Sequence, residues 1–169
     1  SQSLYAYADA DFEPLLDLLE ALGHHVEPVT APVEGTFGDD FVSYFELLAF
    51  LTTSTGKLSH GSHVQSHLYS DFTRGMADGF RRDRGRVVGA SRRLRRTTQQ
   101  MAEFFERYDV MLSPVTSGVA PPIGHLANDV PHRELLERVF AWIPFPPIAN
   151  AAGIPAISLP LGWDEVNHV

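Results

Sequence analysis

Two apolar stretches punctuated by proline and glycine, both in the last third of the chain, constrain the fold more than any other feature. Residues 104–124 read FFERYDVMLSPVTSGVAPPIG, and residues 145–162 read FPPIANAAGIPAISLPLG. Each contains a short apolar run that ends at a turn containing proline or glycine, which is typical of a buried strand. Segments whose apolar residues recur at the spacing of a helix separate these runs along the chain. The sequence therefore predicts a single α/β unit over residues 1–169, with a mixed sheet flanked by helices.

Apolar residues at intervals of three and four predict six helices, which begin near Asp11, Asp39, Val64, Arg84, Pro131 and Ile148. Residues 52–63 are rich in Thr, Ser and Gly and are predicted to form a loop. The predicted strands cover residues 24–29, 109–115 and 156–161. We expect the last strand to be central in the sheet, because its apolar run is nearly continuous. Its side chains would alternate between two covered faces, with Ile157 and Leu159 on one of them.

Composition excludes several classes of protein. Cysteine is absent, which excludes a disulfide framework and cysteine catalysis and favours a reducing, cytoplasmic location. No apolar run approaches the roughly 18 residues of a membrane span. The net charge of −8 disfavours nucleic-acid binding. Eight of the thirteen Lys and Arg residues lie between Arg81 and Arg96, but no aromatic residue is interleaved with them. We interpret this segment as a solvated helix face rather than an anion site.

Three candidate sites lack a residue or a geometry that their function requires. His60, His63 and His67 have the spacing of zinc ligands on a helix, but Gly61 interrupts that helix, and we expect no metal site. The Gly56-Lys57 pair lacks both the first glycine and the Ser or Thr of a phosphate loop. Ser158 lies within a predicted buried strand. A nucleophile requires an exposed turn with a base nearby, so we interpret Ser158 as structural.

Three pieces of the chain, in order, resemble the C-terminal half of the amidase signature family, whose members hydrolyse carboxamide bonds. A helix ending in ALGHHVEPV resembles the family's helix, glycine and V-E-P-V strand. A long helix ending in FFERYDVMLSPV resembles F-x-x-Y-D-x-L-L-x-P-T, although Val115 follows Pro114 where the family often has threonine. FPPIANAAGIPAISLPLG resembles P-x-N-x-x-G-x-P-A-x-S-x-P-x-G. The residues that match this last pattern in type and spacing are Asn150, Gly153, Pro155, Ser158, Pro160 and Gly162.

The resemblance implies a partial amidase signature fold and an amidase-type hydrolase that needs no cofactor. The family's catalytic residues are a Ser–Ser–Lys triad, whose Ser residues belong to a Gly/Ser-rich segment that these 169 residues do not contain. Lys57 is the only lysine, and its surroundings do not match the catalytic lysine of the family. No catalytic residue is therefore assigned. We expect the chain to be a C-terminal portion of an amidase that is inactive by itself.

By the same resemblance, the loop after residues 109–115 lies near the pocket that holds the acyl group of a small-molecule amide substrate. The predicted pocket residues are Thr116, Ser117, Val119, Trp142 and Phe145, although ordinary core packing also explains the two aromatic residues. An incomplete sheet would expose apolar edges. We therefore expect either self-association or pairing with a complementary N-terminal segment.

Two other functions are compatible with the sequence. The chain is alternatively a non-catalytic binding or assembly domain that reuses half of the amidase fold. A metal-dependent protein built on the His60–His67 cluster is the third hypothesis. A Gly/Ser-rich segment encoded upstream would decide in favour of the amidase.

Overall fold

The structure, a computed structural model, describes residues 13–61 and 66–160. Its helices are α1 (Glu13–Ala21), α2 (Phe37–His60), α3 (Asp71–Arg82), α4 (Arg86–Phe105), α5 (His132–Trp142) and α6 (Pro147–Ala152), with a short 3-10 helix at Ser66–Leu68. None of the helices in these residues combines the length and the hydropathy that a membrane span requires.

The predicted mixed α/β sheet is wrong, because the structure has no strand within residues 13–61 and 66–160. Residues 24–29, 109–115 and 156–160 instead form segments without regular secondary structure. A strand requires a neighbouring backbone that completes its ladder of hydrogen bonds, and the described residues supply none. The expectation of a central strand covered on both faces is wrong as well. Ile157 is 82% exposed and Leu159 is 54% exposed.

The predicted signals for helix ends hold at several positions. Gly23, with a φ of +91°, follows α1, and Gly153, with a φ of +70°, ends α6 in the left-handed conformation that glycine adopts readily. The cap of α3 was not predicted: there the hydroxyl of Ser70 accepts a hydrogen bond from the backbone N–H of Thr73 at 3.2 Å. The helix predicted over residues 84–107 is α4.

The loop predicted at residues 52–63 is wrong, because α2 continues to His60. The hydroxyl groups of Thr53 and Thr55 donate hydrogen bonds to the carbonyl oxygens of Phe50 and Leu51, at 3.1 and 2.8 Å. These bonds to the preceding turn accommodate threonine within a helix. Helix α3 begins at Asp71, later than the predicted start near Val64, which itself lies outside the described residues.

The helices pack pairwise, with α2 against α3 and α4, α4 against α6, and α3 against α5. A buried core lies between α4 and α6, where Met101, Ile148 and Ala152 are each at most 5% exposed. Partly buried apolar side chains from helix ends and from non-helical segments pack against this core. These residues are Ala31, Val33, Phe37, Phe104, Phe105, Met111 and Ile154. The core therefore draws on residues far apart in the sequence.

The arginine-rich segment holds α4 to the residues around the start of α2. Arg93 donates from Nε and Nη2 to the two carboxylate oxygens of Asp40, at 2.7 and 2.6 Å. Arg86 lies 3.6 Å from a carboxylate oxygen of Asp39. Arg96 lies 3.3 Å from one of Glu34. Several of the clustered arginines therefore form ion pairs within the chain.

Gly75 allows α5 to approach α3 closely. A Cβ atom at this position would overlap the imidazole Cγ of His132 and lie 2.7 Å from its Cβ. We expect Gly75→Ala to lower the free energy of unfolding by about 1–2 kcal/mol, because the displaced ring costs more than the gain in helix propensity. Urea denaturation, read at the transition midpoint, measures this change.

Gly38 is the matched control for Gly75. It lies in the first turn of α2, and a Cβ atom there would have no neighbour within 4 Å. Gly38→Ala should therefore raise the free energy of unfolding by about 0.5–1 kcal/mol through helix propensity alone. Equal effects of the two substitutions would show that α5 does not pack on Gly75.

Candidate functional site

The loop after residues 109–115 is hydrogen-bonded to the end of α5. The backbone N–H of Ser117 donates to the carbonyl oxygen of Trp142 at 2.8 Å. The Ser117 hydroxyl donates to the carbonyl oxygen of Ala141 at 2.7 Å. The Thr116 hydroxyl donates to the carbonyl oxygen of Gly118 at 2.8 Å, which closes the turn. The structure therefore places Thr116, Ser117 and Trp142, predicted from distant parts of the sequence, next to one another.

The other predicted pocket residues differ in their exposure. Val119 is 46% exposed. Phe145 is only 6% exposed and belongs to the core. Trp142 is half-buried, and its indole Nε1 is fully buried without a hydrogen-bond partner among the described residues. Val119 and Thr116 are thus accessible to solvent, whereas Phe145 is buried.

The two hydroxyl groups of this loop determine what it can do chemically. The hydroxyl groups of Thr116 and Ser117 donate to backbone carbonyl oxygens, which leaves their oxygen lone pairs able to accept a hydrogen bond from an amide N–H. A serine nucleophile requires a base within hydrogen-bond reach. Within the described part of the chain, neither hydroxyl is bonded to a carboxylate, an imidazole or an amine. The loop can orient a polar ligand, but it holds no activated nucleophile.

The motif residues of the final stretch lie along α6 and the segment that follows it. Asn150 is exposed on α6, and Gly153 ends that helix. Pro155, Ser158 and Pro160 are exposed, and Gly162 lies outside the described residues. Pro114 is half-buried at the start of the loop. The exposure of Ser158 contradicts its predicted place within a buried strand.

An open groove of about 560 Å³ lies between the segment before α2 and the C-terminal half of α4. Sequence reasoning missed it, because its walls come from segments about seventy positions apart. None of the predicted pocket residues lines it. The lining residues are Pro32, Val33, Gln100, Glu103, Phe104, Arg107 and Tyr108.

A charged cluster lies beside this groove. The Tyr108 hydroxyl donates to Oε2 of Glu27 at 2.7 Å, and Nη2 of Arg107 lies 3.3 Å from the same oxygen. The hydrogen bond from Tyr108 is the main cause that lowers the pKa of Glu27, and it raises the pKa of Tyr108. Both shifts favour Glu27 as a charged carboxylate and Tyr108 as a neutral phenol. On the other side of the carboxylate, Nε2 of His25 lies 3.2 Å from Oε1 of Glu27. The cluster ties the V-E-P-V segment to the end of α4.

Two further candidate sites are the histidine cluster and the Gly56-Lys57 pair. His63 and the side chain of His60 lie outside what the structure describes, and His67 is exposed. Among the described residues, no group of three His, Asp or Glu side chains is placed to hold a metal ion. Gly56 and Lys57 lie within α2, so this segment is a helix rather than a phosphate-binding loop.

Comparison with known proteins identifies the family. The family model described as Amidase matches residues 3–168. The chain belongs to the amidase family. A Mycobacterium leprae protein named "Putative amidase AmiC" is 39% identical over 145 residues, which cover 85% of this chain and 31% of that protein. The protein of the same name from Mycobacterium tuberculosis (strain ATCC 25618 / H37Rv) is 37% identical over 148 residues, or 87% of this chain and 31% of its own.

A shorter match connects the amidase-family chain to a second kind of protein. A glutamyl-tRNA(Gln) amidotransferase subunit from Saccharolobus solfataricus is 37% identical over 65 residues, which cover 38% of this chain and 12% of the amidotransferase chain. No solved structure matches the chain. The chain spans about a third of the length of the AmiC proteins that it matches.

Proposed function

We propose that the chain is a C-terminal portion of an amidase that hydrolyses the C–N bond of small carboxamides. The match of the amidase family model to residues 3–168 carries this proposal. In the proposed enzyme, these residues supply scaffold and one wall of the substrate pocket, and the Ser–Ser–Lys machinery belongs to the part of the enzyme outside them. The isolated chain is then inactive, since an exposed serine without a base is a poor nucleophile.

The proposed pocket wall is the loop that is tied to the end of α5. The Ser117 hydrogen bonds to α5 fix the backbone of the loop, and a fixed backbone favours the precise positioning of a substrate that amide hydrolysis requires. Val119, three residues after Thr116 in the same loop, has an exposed apolar side chain. This pairing suits an amide with an apolar acyl group, because the methyl groups contact the acyl chain and the hydroxyl accepts from the amide nitrogen.

A hybrid protein tests the proposed activity. Residues 13–160 of this chain replace the matching stretch of the Mycobacterium leprae relative, and ammonia release is measured with an amide that the unmodified relative hydrolyses, chosen from aliphatic and aryl amides. We expect the hybrid to retain turnover and the isolated chain to show none. An inactive but folded hybrid would contradict the proposed role, and turnover by the isolated chain would show that its catalytic residues have been missed.

Val119→Trp in the hybrid tests the pocket wall. Val119 is exposed, so the larger ring should be tolerated by the fold but should fill the pocket. We expect the KM for an aryl amide to rise about tenfold, or about 1.4 kcal/mol of binding free energy, with a smaller rise for an aliphatic amide. Ile123→Trp is the control, because Ile123 is fully exposed further along the same loop. Equal effects of the two substitutions would remove Val119 from the proposed pocket.

A further inference from the structure

The groove at the C-terminal half of α4 has the size and the mixed lining of a site for a small molecule. Its volume of about 560 Å³ lies within the range of such sites, about 300–1,000 Å³. Gln100, Glu103 and Phe104 lie three and four positions apart, which places them on one face of α4. Arg107 follows the end of the helix, and Pro32 belongs to the facing wall. A ligand in the groove would therefore contact two distant parts of the chain at once.

The Gln100 carboxamide, which lines the groove, has an unused hydrogen-bond acceptor. Its Oε1 is fully buried, and no donor among the described residues bonds to it. A buried carbonyl oxygen without a partner is costly, and a ligand that supplies the missing donor recovers this cost. The last side-chain torsion of glutamine is soft, so a turn of the carboxamide is enough to present the oxygen to a donor in the groove.

The Glu103 carboxylate is a second acceptor in the same groove. Its Oε1 accepts from Nε2 of Gln99 at 2.8 Å, whereas its Oε2 has no hydrogen-bond partner in the part of the chain that the structure describes. Arg107 does not neutralise it, because its guanidinium lies 3.3 Å from Glu27 and over the ring of Tyr108. The two unused acceptors therefore suit a ligand whose head carries at least two N–H donors.

The charge around the groove favours a cation over an anion. Two carboxylates, Glu27 and Glu103, lie within or beside it, against the single guanidinium of Arg107. The formal net charge of the chain is −8, and a negative field raises the local concentration of cations. Val33 and Phe104 add apolar surface, and both pack against the core of the protein. The lining is therefore suited to a positively charged nitrogen that carries an apolar body.

We propose that this groove binds an organic ammonium ion with an apolar body. The ammonium group donates hydrogen bonds to Oε1 of Gln100 and to the carboxylate of Glu103. The apolar body lies against Pro32, Val33 and Phe104. None of the residues of the proposed amide pocket lines the groove, so the proposal does not depend on amide hydrolysis.

Titration of the 169-residue chain with 2-phenylethylammonium chloride, followed by backbone NMR shifts, tests the site. We expect saturable shifts at the amides of Val33, Gln100 and Phe104, with a Kd of about 1 mM. 3-Phenylpropionate, which carries the opposite charge, and methylammonium, which lacks the apolar body, should each bind at least about tenfold more weakly. Equal affinity for either of them, the absence of saturable shifts, or shifts confined to residues 116–119 would overturn the proposal.

Three variants assign the binding to the two acceptors. Glu103→Gln and Gln100→Leu should each raise the Kd for 2-phenylethylammonium about tenfold, the effect of losing one hydrogen bond to a charged group. Glu106→Gln is the matched control, because it removes the same charge from an exposed residue that does not line the groove. We expect the Kd of this variant to equal that of the parent chain, and urea midpoints verify that all three variants are folded.

The variants also distinguish a built site from general attraction of a cation to an acidic protein. Equal Kd values for Glu103→Gln and Glu106→Gln would mean that only the overall charge attracts the probe, and would overturn the proposal. An unchanged Kd in folded Gln100→Leu would show that Oε1 of Gln100 accepts nothing from the ligand. That result would also overturn the proposal, because the acceptor without a partner is what singles out this groove.

Discussion

Asp40→Ala is expected to lower the free energy of unfolding by about 3 kcal/mol, the low end of what breaking a buried ion pair costs. Asp40 is 2% exposed. It accepts two hydrogen bonds from Arg93 and a third from the Thr36 hydroxyl at 3.0 Å. The substitution leaves the guanidinium without its partner, but 36% of the Arg93 side chain is exposed. Water can therefore solvate part of the uncompensated charge, and we place the cost at the low end for that reason.

The neighbouring residue provides a control for this substitution. The Asp39 side chain is 81% exposed and lies 3.6 Å from Arg86. An exposed ion pair contributes about 0–1 kcal/mol, so Asp39→Ala should change the stability little. Urea denaturation of the two variants measures the difference. A loss for Asp40→Ala no larger than that for Asp39→Ala would mean that α4 is not held to α2 by this pair.

The same ion pair predicts how stability depends on pH. The hydrogen bonds from Arg93 are the main cause that lowers the pKa of Asp40 in the folded protein. A lowered folded-state pKa means that the contribution of this carboxylate is fully present above the unfolded-chain value of about 3.9 and is lost as the pH falls through the folded-state value. Urea midpoints measured between pH 6 and pH 2 should therefore fall more steeply for the parent chain than for Asp40→Ala.

Local signals in the sequence predicted most of the helices. Helix α4 has Leu94 and Met101 seven positions apart on its buried side, a spacing that the sequence displays directly. Gly23 and Gly153 mark the ends of α1 and α6 because only glycine adopts their positive φ at little cost. These features depend on a few neighbouring residues. They are therefore readable without knowledge of the tertiary structure.

The predicted sheet failed for a different physical reason. The apolar run around Ile157 indicates that the segment needs cover on both faces, and the sequence pattern carries no information about which polypeptide supplies that cover. In the structure, the described residues do not supply it, and Ile157 is exposed. Propensity for strand is a preference for a half-buried pleated surface, so it is realised only when a neighbouring strand is present. The strand-like sequence pattern and the absence of a strand from the described residues are thus consistent with each other.

The pocket at Thr116, Ser117 and Trp142 stays a prediction. The resemblance assigned the loop and Trp142 to walls of one pocket, and in the structure the loop is hydrogen-bonded to the backbone at the end of α5. The resemblance did not decide whether Phe145 lines the pocket or packs in the core, where the structure buries it. It also gave no sign of the groove at Tyr108, whose walls meet only in the tertiary structure. Contacts between distant segments are set by packing, and no local pattern reports them.

Met101→Ala is expected to lower the free energy of unfolding by about 3 kcal/mol, within the range for truncating a buried methionine. Met101 is fully buried, and it packs against Ile148 and Ala152, where α4 meets α6. Its removal leaves a cavity at a junction that also holds Met111 and Ile154, so neighbouring side chains can fill only part of the space. The thermal or urea midpoint of the isolated chain measures this loss.

Two further variants determine whether the loss at Met101 arises from the cavity. Met101→Leu nearly conserves the volume and should cost less than about 1.5 kcal/mol. Val88→Ala lies on the same helix but at an exposed position, and should change the stability by no more than about 0.5 kcal/mol. A cost for Met101→Ala as small as that of Val88→Ala would mean that α6 does not pack on α4. The segment after α6, which packs on this core through Ile154, would then have no fixed base.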